Sequence, residues 1–262
     1  MVDFLFKECY SVDDLVEIVS LLRSENGCPW DKEQTHKSIR KDFIEEVCEV
    51  CEAIDEDDSD MLREELGDVL LQVVFHTGIE TEAGNFTLDD VADGICKKLI
   101  LRHPHVFGDI KVSNTSEVLE NWNNIKQVEK KQSSYTDTLL SVPKTLPALM
   151  KAQKIGSRAK RANMDFPDAQ AALECLECEI NELKDAYTSG DKERICDEMG
   201  DVLFSAVNTA RHMGVDSEEC LEMSCAKFVR RFAKTEEMVR LDGKDMTSLS
   251  IDELDAYWKK AK

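Results

Sequence analysis

The sequence predicts an all-α protein built as a tandem repeat of two helical-bundle domains. Apolar residues recur at steps of three and four along most of the chain, and strand-like alternation is nearly absent. A set of carboxylates occurs twice: Glu46, Glu49, Glu65 and Asp68 match Glu179, Glu182, Glu198 and Asp201 at a constant offset of 133 residues. Cations and a tryptophan follow in the same order in both halves. Lys98 and Arg102 match Lys227 and Arg231, and Trp122 and Lys126 match Trp258 and Lys262, every pair at i and i+4. The expected organisation is a first domain over 1–131, a linker over 132–147 and a second domain over 148–262.

The first helix follows Ser11, with Asp14 in the capping-box position, and its apolar stripe is Leu15, Ile18, Val19 and Leu22. The loop Asn26-Gly27-Cys28-Pro29-Trp30-Asp31 ends it. The second helix carries Ile39, Phe43, Val47, Val50 and Ile54. Glu46 and Glu49 flank that stripe, whereas Glu45 and Glu52 point away from it. The acidic run Asp55 to Asp60 supplies an N-cap for a third helix, whose apolar face is Leu62, Leu66, Val69, Leu70 and Val73. Thr87 caps a fourth, with Val91, Ile95 and Leu99, and Pro104 and Gly108 end it. Ser113 to about Lys131 forms a further helix.

Gln132 to Pro147 is poor in periodicity and holds Pro143 and Pro147, which reads as the linker. Met150 to Arg161 is a basic helical stretch. Asp168 opens the second acid helix, with Leu176, Ile180, Leu183 and Tyr187, and Asp191 caps the next. Leu221, Cys225, Phe228 and Phe232 mark the helix of Lys227 and Arg231. Ser250 and Glu253 cap the last, which carries Leu254, Trp258 and Lys262.

A formal charge of −21 argues against a nucleic-acid polymer as partner, because a phosphate backbone is bound by basic surface. No apolar run approaches a membrane span, and Met1-Val2-Asp3-Phe4 lacks the basic-then-apolar pattern of a secretory signal. A cytoplasmic location with ten reduced cysteines is expected. Cys48-x-x-Cys51 and Cys175-x-x-Cys178 have zinc-like spacing, but both lie inside helical patterns and are read as thiols. His103 and His105 are set aside as ligands in favour of the nearby carboxylates.

Carboxylates three apart on a helix share a face, so two antiparallel helices would gather four of them. Such a group is repulsive until a hard divalent cation joins it, and Mg²⁺ prefers carboxylate and water oxygens. Gly200, inside the second pair, is expected to allow a close helix approach. Lys227 and Arg231 could grip phosphate oxygens, Arg as a fork and Lys as a point charge. Trp258 could stack on a nucleobase. A phosphate-rich nucleotide is the ligand this combination favours.

The motifs then resemble a known family. Gly27-Cys28-Pro29-Trp30-Asp31, Glu45-Glu46-x-x-Glu49 with Glu65-x-x-Asp68, Arg102-His103-Pro104-His105-Val106-Phe107, Pro147-Ala148-Leu149-Met150-x-Ala152-Gln153-Lys154 and Glu198-Met199-Gly200-Asp201 are similar to those of the MazG family in the all-α NTP pyrophosphatase superfamily. The resemblance covers nearly the whole chain. It implies two MazG-type helical domains, each pairing in a homodimer, and Mg²⁺-dependent hydrolysis of a nucleoside triphosphate to the monophosphate and pyrophosphate. It implies that Glu179, Glu182, Glu198 and Asp201 are the metal ligands and catalytic set of the usually active second domain. It puts Lys227 and Arg231 on phosphates, with Trp258 and Lys262 near the nucleotide. Two departures stand out: Cys178 replaces the first Glu of the acid motif, and Leu101 stands where the repeat has Arg230. Glu46, Glu49, Glu65 and Asp68, with Lys98 and Arg102, keep a metal site open in the first domain. The alternative function is a nucleotide- and metal-binding scaffold without turnover.

Overall fold

A computed structural model describes residues 4–130 and 132–262, and all but the side chain of Glu120 among them. Met1–Asp3 and Lys131, the expected end of the first domain, lie outside the described residues. The chain divides into two compact units, Met1–Ile125 and Lys126–Lys262. Among the described residues every regular element is helical.

In the first unit the helices are α1 (Val12–Arg23), α2 (Pro29–Glu33), α3 (Arg40–Asp55), α4 (Ser59–Glu82), α5 (Leu88–Arg102) and α6 (Pro104–Phe107), and α7 (Thr115–Glu129) runs across the division. The starts are local chemistry. Ser11 and Thr87 close capping boxes with Asp14 and Asp90, and the Asp58 side chain accepts from the amides of Asp60 and Met61. Pro104 sits at the first position of α6, where a missing N–H costs nothing. The buried core is Val19, Ile39, Val74 and Phe75, with Leu15, Val16, Leu71, Ile79 and Leu88 against it. Arg23 fastens α1 to α4. Its Nε and Nη2 donate to the two carboxylate oxygens of Glu82 at 2.7 and 2.9 Å, and Nη1 donates to the Asp31 carbonyl at 2.7 Å. The turn between α1 and α2 requires Gly27, because a Cβ there would collide with the carbonyls of Leu21 and Leu22.

The second unit holds α8 (Tyr135–Leu140), α9 (Ala148–Ala159), α10 (Ala169–Ser189), α11 (Lys192–His212), α12 (Ser217–Leu241) and α13 (Ile251–Lys260). Its largest helix pairing is α10 on α11, with α9 against both α11 and α12, and α13 on α12. Asp168, Asp191, Asp216 and Ser250 cap these helices with their side chains. The stretch 132–147, expected as a linker, carries α8. A Ser134–Asp137 capping box starts that helix, Val142 is buried, and Arg158 of α9 donates to the Thr138 carbonyl and, at 2.8 Å, to Ser141 Oγ. Short capped turns of this kind leave too few residues for a period to register.

The apolar stripes are where sequence and structure part most. Val47 and Ile54 on α3, Leu66 on α4, Tyr187 on α10, and Leu221, Phe228 and Phe232 on α12 all remain exposed. Helical periodicity shows that a face is apolar, not which molecule covers it.

Candidate metal and nucleotide site

Each unit gathers three carboxylates. Glu46, Glu49 and Glu65 place one ligand oxygen each within 4.8 Å of one another, and so do Glu179, Glu182 and Glu198. The first two of each set lie a turn apart on α3 or α10, and the third comes from α4 or α11. Close pairing of α3 with α4, and of α10 with α11, brings them together. Asp68 and Asp201, the fourth members expected, stand outside these groups of three, and Asp201 is exposed. An all-oxygen donor set suits a hard divalent cation.

The charge state of the first group is consistent with that fit. Burial pushes the Glu46 carboxyl up, helped by the charges of Asp68, Glu49 and Glu65 and by a hydrogen bond with Glu49. Glu65 is raised too, by burial first and then by Glu49, Glu64 and Asp68. Asp68 is thus close enough for its charge to act on both. Burial and like charge act together on these carboxyls, and this is repulsion of the kind a divalent ion relieves. Gln72, seven residues beyond Glu65 on the same face of α4, keeps a buried Oε1 with no hydrogen-bond partner among the described residues.

The second group has neighbours that the first lacks. Arg194 Nε donates to Glu198 Oε1 at 3.4 Å, across one turn of α11. The Cys175 thiol donates to Glu179 Oε1 at 3.7 Å and sits 3.8 Å from Ser205 Oγ. At the offset of 133, Met61 and Asp42 occupy these two places in the first unit. Arg194 could have been found from its i, i+4 spacing to Glu198. Cys175 carried no such signal.

The expected cations divide into two kinds. Lys227 and Lys262 are exposed, and Lys98 is half-buried. Arg231 instead packs on Trp258, with its guanidinium 4.2 Å from the ring centroid, and Arg102 lies over Trp122 at 5.1 Å. Trp122 also meets the His103 ring edge-on at 4.9 Å, and His103 Nδ1 bonds the Leu99 carbonyl at 2.6 Å. Neither His103 nor His105 belongs to a candidate metal group among the described residues. The same holds for the cysteines, all ten of which are free thiols. Gly67 and Gly200 do not mark a close helix contact within the chain: a Cβ on either would meet nothing within 4 Å.

A duplicated helical layer with an acidic, all-oxygen group in each copy that could hold a metal ion, followed by cations and a tryptophan, suits a metal-dependent hydrolase acting on phosphates. The comparison with known families agrees. The MazG nucleotide pyrophosphohydrolase domain matches residues 34–107 and again 168–235, and the chain belongs to that family. It is 44% identical over 250 residues to the nucleoside triphosphate pyrophosphohydrolase/pyrophosphatase MazG of Thermotoga maritima, covering 95% of both chains. It is 41% identical over 254 residues to the nucleoside triphosphate pyrophosphohydrolase of Escherichia coli strain K12, covering 96% of this chain and 97% of that one. The uncharacterized protein YabN of Bacillus subtilis is 45% identical over 246 residues, which span 94% of this chain and 50% of YabN.

Proposed function

We infer that the protein hydrolyses nucleoside triphosphates to the monophosphate and pyrophosphate, with Mg²⁺ as its metal. The observation that carries this reading is the meeting of Glu179, Glu182 and Glu198 within 4.8 Å in a region matched by the MazG domain. Mg²⁺ bound there supplies charge neutralisation for the phosphates and makes a water more acidic. Glu179, Glu182 and Glu198 would hold it, with Asp201 one turn beyond Glu198 as the fourth carboxylate of the set. Glu182, the exposed member, accepts the proton of the attacking water. The water oxygen bonds to the α-phosphorus, the bond from that phosphorus to the α,β-bridging oxygen breaks, and pyrophosphate leaves with the electron pair. Lys227 and Arg231 stabilise the leaving charge, and Lys262 stays near the nucleotide.

In the first unit, Glu46, Glu49 and Glu65, with Asp68 beside them, form a second metal site served by Lys98 and Arg102. A second copy of the chain covers the exposed apolar faces of α3, α4 and α12 and makes a homodimer. Among the described residues no helix is long and apolar enough to cross a membrane. Ten unpaired thiols suit a reducing cytoplasm.

The test is pyrophosphate release from a panel of nucleoside triphosphates, with and without Mg²⁺, in wild type and Glu182→Gln. Metal-dependent release that Glu182→Gln abolishes supports the reading. Binding without release under every condition leaves the scaffold in its place. Light scattering reads the dimer independently.

A further inference from the structure

We propose that Trp258 is a positioning residue that fixes the guanidinium of Arg231 with its Nη1 left for the triphosphate, rather than the platform on which the base stacks. The inference rests on the nucleotide-hydrolase reading and assigns Trp258 a different task within it.

The geometry begins at a helix end. Trp258 lies in the last turn of α13, where backbone carbonyls lack intrahelical partners and carry the negative end of the helix dipole. Its carbonyl oxygen accepts twice from Arg231, from Nε at 2.9 Å and from Nη2 at 2.5 Å. The same residue's indole lies under the guanidinium, 4.2 Å from ring centroid to Cζ, well inside the range of a cation–π contact. One residue thus grips the group by its edge and by its face. A guanidinium is planar and rigid, so fixing two nitrogens fixes the third. Among the described residues Nη1 donates to no protein group. Lys227 stands one turn earlier on the same face of α12 and is exposed, so Nη1 and the ammonium form a preset pair of donors.

The indole has little surface to offer a base. Besides Arg231, the Phe228 ring lies 5.0 Å away at a tilt of 48°, and Trp258 is only half exposed. Arg102 over Trp122 in the first unit repeats the face contact at 5.1 Å. A pairing that recurs in both halves points to a device for holding an arginine.

The test uses the full chain. Trp258→Leu keeps the carbonyl but removes the face, and kcat/KM should fall about tenfold by the same factor for ATP, GTP, CTP and UTP. Affinity for inorganic tripolyphosphate, which has no base, should fall in parallel. Trp258→Phe should recover most of both, because a phenyl face remains. Arg231→Lys with Trp258→Leu should be no worse than Arg231→Lys alone by more than about twofold. A loss confined to some bases with tripolyphosphate binding unchanged, or losses that multiply in the double variant, overturns the proposal. Circular dichroism melting checks the fold, and if Trp258→Leu does not fold, the base-independence of the smaller Trp258→Phe loss decides. If the wild type releases no pyrophosphate, the hydrolase reading fails on its own. Tripolyphosphate calorimetry then still decides, with weaker binding in the variants supporting the proposal and no difference from wild type overturning it.

Discussion

The two acid sites share a backbone plan but not an electrostatic setting. In the first unit Glu46, Glu49 and Glu65 face one another with Asp68 adding charge, and Glu46 and Glu65 are pushed toward their protonated forms. In the second, Arg194 reaches Glu198 and the Cys175 thiol reaches Glu179, where the first unit has Met61 and Asp42. In the first unit that repulsion asks a metal to displace protons first. The lesson is that a repeated motif does not make a repeated site. The residues one turn away give it different neighbours.

The sharpest way to break the comparison is to remove the matching carboxylate from each unit. Glu198→Gln should reduce pyrophosphate release by about a thousandfold or more, since the proposed second-unit site loses one of its proposed metal ligands. Glu65→Gln should leave most of the activity. A partial loss from each variant instead would mean that both units turn over, and the contrast between them would fall.

A second difference is structural. The second unit pins the start of α10 to the end of α11 through Asp165, whose carboxylate accepts from both terminal nitrogens of Arg211 and lies 2.8 Å from His212 Nε2. Lys32, Gly78 and Ile79 stand at the matching places in the first unit. The hydrogen bonds from Arg211 hold Asp165 well below the usual carboxylate range, with His212 assisting and burial opposing. The side chains of Asp165 and Arg211 are only 12% and 11% exposed, so Asp165→Asn should cost about 2–4 kcal/mol. The sign of the pH effect follows from the depressed value. The contribution is fully present above the unfolded carboxylate value near 4 and is lost as pH falls through the folded value. Melting followed from about pH 6 downward should therefore show acid destabilisation that is weaker in Asp165→Asn. Equal slopes in the two proteins would remove this pin from the account.

Gly67 and Gly200 test what covers each site. Both are interior to a helix, and a Cβ would meet nothing within 4 Å in the chain. Helix propensity alone predicts that Gly→Ala stabilises by about 0.5–1 kcal/mol at either place. A loss of stability or of self-association at one of them would show that a second copy of the chain packs against that helix face.

Much of the site was legible in the sequence because a helix turns metal chemistry into spacing. Glu46 and Glu49, or Glu179 and Glu182, must share a face whatever the tertiary fold, and caps such as Ser11, Thr87 and Ser250 act within a single turn. The fates of Val47, Leu66 and Phe228 were not legible, since a stripe describes the helix and not its neighbour. The packing of Arg231 on Trp258 was not legible either. Their separation of 27 positions leaves no periodic trace of a contact that depends on how α12 meets α13.

The smallest expected effect is the most direct test of the electrostatic contrast. Arg194 and Glu198 form a half-exposed i, i+4 pair, with the arginine side chain 47% exposed and the carboxylate 14%. Pairs of this kind are worth only a few tenths of a kcal/mol. Arg194→Met gives the second unit the residue of the first, and Met61→Arg does the reverse. If the pair mainly competes with the metal, Arg194→Met should tighten Mg²⁺ binding about two- to threefold at neutral pH, and Met61→Arg should weaken binding in the first unit by a similar factor. If it mainly keeps Glu198 ionised, the benefit of Arg194 should emerge only at mildly acidic pH, where protons contend for the carboxylates. Calorimetric titration with Mg²⁺ at neutral and mildly acidic pH, run on variants that carry Glu65→Gln or Glu198→Gln to silence the other unit, separates the two. A crossover in the effect of Arg194→Met between those pH values would show that one arginine plays both parts.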